Sequence, residues 1–185
     1  MTERTVEVDT QGLDLKEVFT QLNREVLEPA RVAFHNNSVG ATATLLLCAI
    51  GTFAHLSMPA SQDGDTGQDY KNWVRNYIPS VKHGPITPED LWASRCGLVH
   101  ACSHEANVRR GVQPRTVRYT LEGHEPVRVQ CAEESDIVQI PLPIFIEEVT
   151  NGLEACLIDV FRQEDRIKAL HRRMSKMFYL VSTGR

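Results

Sequence analysis

The chain has 185 residues, and its 20 Lys and Arg against 24 Asp and Glu leave a net charge of −4 with the histidines neutral. One domain spanning residues 1–185 is the default at this length, and burying roughly 70% of the unfolded chain's surface is within reach. With 42% apolar and 24% charged residues, the composition excludes disorder throughout, a collagen-like fibre and a disulfide-framework miniprotein; the mild acidity argues against a wholesale nucleic-acid binder but leaves room for a local basic face.

Residues 1–12 read as a flexible tail. From Leu13 to Phe34 the apolar positions Leu15, Val18, Phe19, Leu22, Val26 and Leu27 recur at three- and four-residue steps, predicting a helix that Pro29 kinks or divides. Asn36 to Gln62 contains no Asp, Glu, Lys or Arg, and Leu45 to Leu56 is strongly apolar. A membrane span needs about 20 predominantly apolar residues. Here Ser38, Gly40, Thr42, Thr44, Gly51, Thr52 and His55 interrupt the run and no basic cluster flanks it, so a helix from about Val39 to Met58, buried in the middle of a bundle, is expected.

Pro59 to Gln68 reads as a surface loop, and Tyr70, Trp73, Val74 and Tyr77 mark a short amphipathic helix ending before Pro79. Thr87-Pro88-Glu89-Asp90 is the clearest helix start: a capping hydroxyl, a proline suited to the first helical position and two acids at the positive helix end. The helix it opens runs to about His104 and is apolar or small on nearly every side.

The period then changes. Val117, Tyr119 and Leu121 alternate with polar residues, Glu122-Gly123-His124-Glu125 turns, and Val127 and Val129 resume the alternation, predicting a two-stranded hairpin over residues 116–130 lying against the helices. After Pro141 and Pro143, Ile144 to Tyr179 reads as helix, with Asn151-Gly152 as the candidate break. The fold class expected is all-α: a bundle of about five helices with a small β-hairpin inserted before the long C-terminal helix.

The five cysteines are odd in number and scattered, with Cys48, Cys131 and Cys156 in apolar stretches where Cys behaves as a small hydrophobe. The opening Met1-Thr2-Glu3-Arg4 lacks the apolar core of a signal peptide. A reducing, cytoplasmic setting is the expectation.

Chemistry concentrates in Arg95-Cys96-Gly97-Leu98-Val99-His100. A permanent cation on a helix otherwise apolar needs a partner, because unpaired charge is expensive away from water. Arg clamps phosphate in a fork geometry and neutral His takes a proton near pH 7. Together they are the minimum for cleaving RNA without metal: His100 activates a ribose 2′-hydroxyl as general base, and Arg95 holds the charge gathering on the phosphate. Arg118–His124 and Arg166–His171 share this kind of spacing; Arg95–His100 is set apart by its place on a capped, buried helix.

Arg followed after four residues by His, on a helix of an all-helical bundle, resembles the HEPN (higher eukaryote and prokaryote nucleotide-binding) superfamily. The resemblance implies a metal-independent endoribonuclease of the toxin–antitoxin, phage-defence or RNA-processing kind, active as a dimer with its site at the subunit interface. It also implies an antitoxin or nucleotidyltransferase as a partner protein. Active members usually carry a polar residue after the Arg, where this chain has Cys96. On a straight α-helix positions five apart sit about 140° apart, so a shared face requires the reach of Arg95, distortion at Gly97, or a second subunit.

Two other readings stand beside this one. In the first, Arg95 pairs with a carboxylate such as Glu147 or Glu148, His100 is a hydrogen-bonded core residue, and the protein is a non-catalytic interaction module of bacterial type. In the second, Cys96, His100, Cys102 and His104 hold a structural zinc, although one helix does not easily wrap a tetrahedral ion. The stretch Asn107 to Arg118 carries Arg109, Arg110, Arg115 and Arg118 with no acid, and residues 162–185 carry seven Lys and Arg against Glu164 and Asp165. Brought together, the two would form a basic patch able to track an RNA backbone. No Gly-rich phosphate loop, Gly-x-Ser-x-Gly elbow or His-Glu-x-x-His is present, which removes support for nucleotide hydrolases, serine esterases and zincins; no cofactor and no metal are expected.

Overall fold

Helix-start chemistry sets the element boundaries of the computed structural model, which describes residues 14–62, 64, 66–101, 114–131 and 134–177. Asp14 caps α1 (Leu15–Leu22) by accepting from the Lys16 amide at 3.1 Å. The helix widens through a π turn at Asn23–Leu27 and resumes as α2 (Glu28–His35). Pro29 has no N–H to donate, and its ring crowds the carbonyl four residues back, so the backbone opens just ahead of it. The division expected at Pro29 is therefore a wide turn within a continuous helical run. Asn37 at φ 57° ends that run, with Asn37 N donating to the Phe34 carbonyl and Ser38 N to that of Ala33, a Schellman closure.

The apolar helix α3 (Val39–Leu56) lies at the centre, with Leu46, Leu47 and Ile50 fully buried and Phe53 at 1% exposure. Among the described residues it is the one helix long and apolar enough to cross a membrane, and here half of it is buried inside the protein. Around it pack α2, α4 (Gly67–Tyr77), α6 (Pro88–Cys96), α7 (Leu142–Phe161) and α8 (Glu164–Met177), with the short α5 (Pro79–His83) against α4. Both α4 and α6 open with reciprocal capping boxes, Thr66 with Asp69 and Thr87 with Asp90, each satisfying two backbone donors that a helix start leaves unpaired.

The strands depart from the expected hairpin. β1 (Thr116–Thr120), β2 (Val127–Cys131) and β3 (Glu134–Pro141) form one sheet in the order β1-β3-β2. β1 and β2 do not pair: β3 lies between them, parallel to β1 with Val117 facing Val138, and antiparallel to β2 with Val129 facing Ile137. Burial decides the order. Ile137, Val138 and Ile140 are at most 1% exposed, so β3 is covered on both faces, whereas Val127 of β2 is 39% exposed. A strand buried on both sides reads as a continuous apolar run without alternation, which is why Ile137-Val138-Gln139-Ile140 gave no strand signal. The turn at residues 122–125 exists, but it carries the chain across to the far edge of β3.

The C-terminal helical stretch is also divided elsewhere than expected. It breaks at residues 162–163, between α7 and α8, and continues unbroken through Asn151-Gly152. Gly152 serves close packing instead: a Cβ there would stand 2.9 Å from the Tyr77 carbonyl and 3.1 Å from the Trp73 ring. One hydrophobic core joins the helices to Val117, Val138 and Ile140 of the sheet. The expected flexible tail, residues 1–12, lies outside the described residues.

Candidate functional site

Site geometry starts at Thr87, whose capping box fixes the direction of α6 and with it the side chains one and two turns on. Leu91 is fully buried, and Trp92 and Arg95, three apart and so on one face, are half-buried. The Arg95 guanidinium lies against the middle of α3, where a Cβ on Gly51 would come 3.4 Å from Nε and 3.5 Å from Nη2. Its Cζ is 5.2 Å from the centroid of the Trp92 ring and 5.7 Å from that of Tyr70 on α4. The two rings meet each other at 5.3 Å.

The expected carboxylate partner is not there. Glu148 accepts from Ser80 N at 2.9 Å and from Ser80 Oγ at 2.6 Å, and Glu147 is exposed. Among the described residues no carboxylate pairs with Arg95, and its buried Nε has no hydrogen-bond partner. The Tyr70 hydroxyl, on a side chain 2% exposed, also has none. Burial pushes the Tyr70 phenol well above its ordinary range and raises the Cys96 thiol against the opposing pull of Arg95. Both shifts favour the neutral forms, so among the described residues neither group offsets the guanidinium charge. Behind them Tyr119 of β1 and Ser94 of α6 share a hydrogen bond at 2.9 Å between their hydroxyls.

After Cys96 the helix changes character: Gly97–Ala101 is a π turn. A π turn advances by roughly 80° per residue against about 100° in an α-helix, which brings backbone positions 95 and 100 to within about 70° around the axis. The straight-helix separation of about 140° is thereby halved, at the glycine expected to permit it. The backbone of His100 takes part in this turn, and its imidazole lies outside the described atoms.

The arginines expected to bind RNA separate into three groups. Arg109 and Arg110 lie outside the described residues. Arg118 is exposed on β1 and has partners of its own. Arg115 is engaged within the fold: its Nη2 donates to Asp90 Oδ2 at 2.6 Å and to the Pro85 carbonyl, and its amide donates to Asp90 Oδ1 at 2.8 Å. A guanidinium so engaged with a buried carboxylate is a structural tie. Two of the five basic residues of α8 are drawn inward as well, while Lys168, Arg172 and Lys176 stay exposed. Arg166 donates to the Ser57 carbonyl at 2.6 Å, and Arg173, 5% exposed, donates to the carbonyls of Met58, Pro59 and Gln62. These acceptors follow the C-terminus of α3, the negative end of its dipole. Of the proposed zinc ligands, Cys102 and His104 lie outside the described residues, and among the described residues no group of three or more His, Cys, Asp or Glu is placed to hold a metal.

Sequence reading missed Tyr70 and Trp92 as parts of this site. Both were legible as helix-face aromatics, and the spacing of Trp92 to Arg95 was a signal, but nothing local shows that α4 and α6 pack face to face. No family model, curated protein or solved structure matches the chain.

Proposed function

We propose that this chain is a HEPN-like, metal-independent endoribonuclease of the toxin or phage-defence type, built on the Arg95–His100 segment. The observation that carries the reading is the guanidinium of Arg95, half-buried without a carboxylate among the described residues. Such a charge is costly unless something anionic completes it, and a phosphate diester has the matching charge and fork geometry. The π turn at Gly97–Ala101 supports the pairing with His100, because wide turns of this kind recur at functional sites.

In the proposed reaction His100 takes the proton of a ribose 2′-hydroxyl, and the freed oxygen attacks the adjacent phosphorus. The bond to the 5′-oxygen breaks, that oxygen takes a proton from solvent, and a 2′,3′-cyclic phosphate remains. Arg95 stabilises the charge on the phosphoryl oxygens as the five-coordinate transition state forms. Arg109, Arg110 and Arg118 are proposed to contact the RNA backbone. A homodimer completes the site, an antitoxin or nucleotidyltransferase acts as the partner protein, and the setting is cytoplasmic.

The test is RNA cleavage by the full chain in EDTA. Arg95→Lys and His100→Ala are each expected to lower the rate by about 10²- to 10⁴-fold while leaving the melting temperature unchanged. Intact RNA with wild-type protein, or unfolding by His100→Ala, overturns the proposal. The second reading, a non-catalytic interaction module, is favoured by the packing of Arg95 against two aromatic rings, a contact that by itself stabilises a cation. In that case Arg95→Lys lowers the melting temperature and RNA is untouched.

A further inference from the structure

We propose that Trp92 and Tyr70 form an aromatic cradle that aims the Arg95 guanidinium at a phosphate ester, making Trp92 a positioning residue of the site. The inference rests on the reading of Arg95 as a phosphate ligand and adds the device that keeps it available.

A long arginine side chain needs something to fix its direction. A carboxylate does this but accepts two of the five N–H donors and cancels the charge, so it competes with the phosphate it is meant to serve. An aromatic face attracts the cation through the ring quadrupole and takes none of the in-plane donors. Arg95 has the second arrangement, with its Cζ 5.2 Å from the Trp92 centroid and 5.7 Å from that of Tyr70, and no carboxylate beside it among the described residues.

The cradle is itself held rigidly. Tyr70 is 2% exposed, and its ring tilts 57° against Trp92. Gly67, the first residue of α4, lies directly against the indole: a Cβ there would stand 2.7 Å from Trp92 Cζ2 and 2.9 Å from Cε2. Gly51 plays the same part on α3, leaving space for the guanidinium itself. Two helix backbones thus approach the pair closely, the α4 start against the indole and α3 against the guanidinium, and each closes one side of the cradle. Burial favours the neutral forms of the Tyr70 phenol and the Cys96 thiol, so neither supplies a negative charge to pair with Arg95.

The experiment is titration calorimetry of inorganic pyrophosphate into the full chain at constant ionic strength, repeated with Arg95→Lys, Trp92→Phe, Trp92→Leu and Gly67→Ala. Wild type is expected to bind, and Arg95→Lys to weaken binding by at least about tenfold, because the fork is lost. Trp92→Leu should weaken it by about five- to tenfold, and Trp92→Phe, which keeps a ring face, by about twofold or less. Gly67→Ala, which removes no interacting group, should weaken binding by displacing the indole, and it keeps the test decisive if Trp92→Leu fails to fold. Wild-type affinity in both Trp92→Leu and Gly67→Ala, with Arg95→Lys impaired, overturns the cradle and leaves the nuclease reading standing. Absence of pyrophosphate binding by the wild type also overturns it. Conversely, pyrophosphate binding that follows Arg95 and Trp92 in a protein that leaves RNA intact supports the cradle and removes the nuclease reading.

Discussion

Asp90 and Arg115, 25 residues apart in sequence, meet at the start of α6. The Asp90 carboxylate is 1% exposed and accepts from the Arg115 guanidinium at 2.6 Å, from the Arg115 amide at 2.8 Å and from the Thr87 amide at 2.9 Å. One carboxylate therefore completes a helix cap and ties the residue preceding β1 to the helix that carries Arg95. The site's orientation and the attachment of the sheet depend on the same two oxygens.

Replacing Arg115 with Leu should lower stability by about 3–5 kcal/mol, since it leaves Asp90 buried and charged with only its cap partners. Acidity supplies the check. Burial works to raise the Asp90 carboxyl, but the bonds from Arg115 and Thr87 outweigh it and hold the group below its ordinary 3.8. A depressed carboxyl stabilises the fold above its unfolded value and loses that contribution as pH falls through the folded one. Urea midpoints measured from pH 7 down to pH 2 should thus fall for the wild type below about pH 4, and the gap to Arg115→Leu should close over the same range. A gap that stays constant with pH would remove Asp90 as the cause.

Glu148 carries the opposite sign. Burial, joined by the nearby Glu147, raises its carboxyl despite the two bonds from Ser80. Such a group favours the fold at low pH, and that contribution declines as pH rises from the unfolded value through the folded one. Glu148→Gln keeps an oxygen for the Ser80 amide and removes the buried charge. It should change stability at pH 7 by no more than about 1 kcal/mol and should compare more favourably with wild type at pH 7 than at pH 4. Thermal melts at the two values decide it; a loss at pH 7 that exceeds the loss at pH 4 would contradict the assignment.

Local signals were legible and lateral ones were not. Thr87-Pro88-Glu89-Asp90 announced the start of α6 because a cap is made within four residues, and the core helix α3 followed from an uncharged run. The strand order was hidden because Ile137 to Ile140 is covered on both faces and shows no alternation. The charge runs misled for a related reason: Arg115, Arg166 and Arg173 look solvated in sequence, yet each turns inward to oxygens supplied by distant segments. Arg95 was found through its neighbours on α6, while Tyr70, which shapes its surroundings, sits on a helix whose packing no local pattern reports.

Arg173 should be the costliest single arginine to remove from α8. It donates to Met58 O at 2.6 Å, Pro59 O at 2.9 Å and Gln62 O at 2.6 Å, holding the chain that leaves α3. Truncation to Ala strands these carbonyls beside a cavity and should cost about 2–4 kcal/mol. Lys restores charge but reaches one carbonyl at a time, so it should recover less than half of the loss. Denaturant unfolding of the three proteins tests the order wild type, Lys, Ala; equal stability of wild type and Arg173→Ala would show that the loop is held by other contacts.

Two helical glycines should respond to alanine with opposite signs. Gly40, near the start of α3, has nothing within 4 Å of where a Cβ would lie, and it is exposed. Alanine there gains helix propensity with no clash and should stabilise by about 0.5–1 kcal/mol. Gly152 in α7 has the same propensity to gain, but its Cβ would meet the Tyr77 carbonyl at 2.9 Å and the Trp73 ring at 3.1 Å. The α4–α7 contact would have to open, and overpacking of this kind costs about 1–3 kcal/mol, more than the propensity returns. Gly152→Ala should therefore lower the melting temperature while Gly40→Ala raises it. Because the substitution is identical, a fall at position 152 isolates the close approach of α7 to α4; a rise at both positions would show that the two helices have room between them.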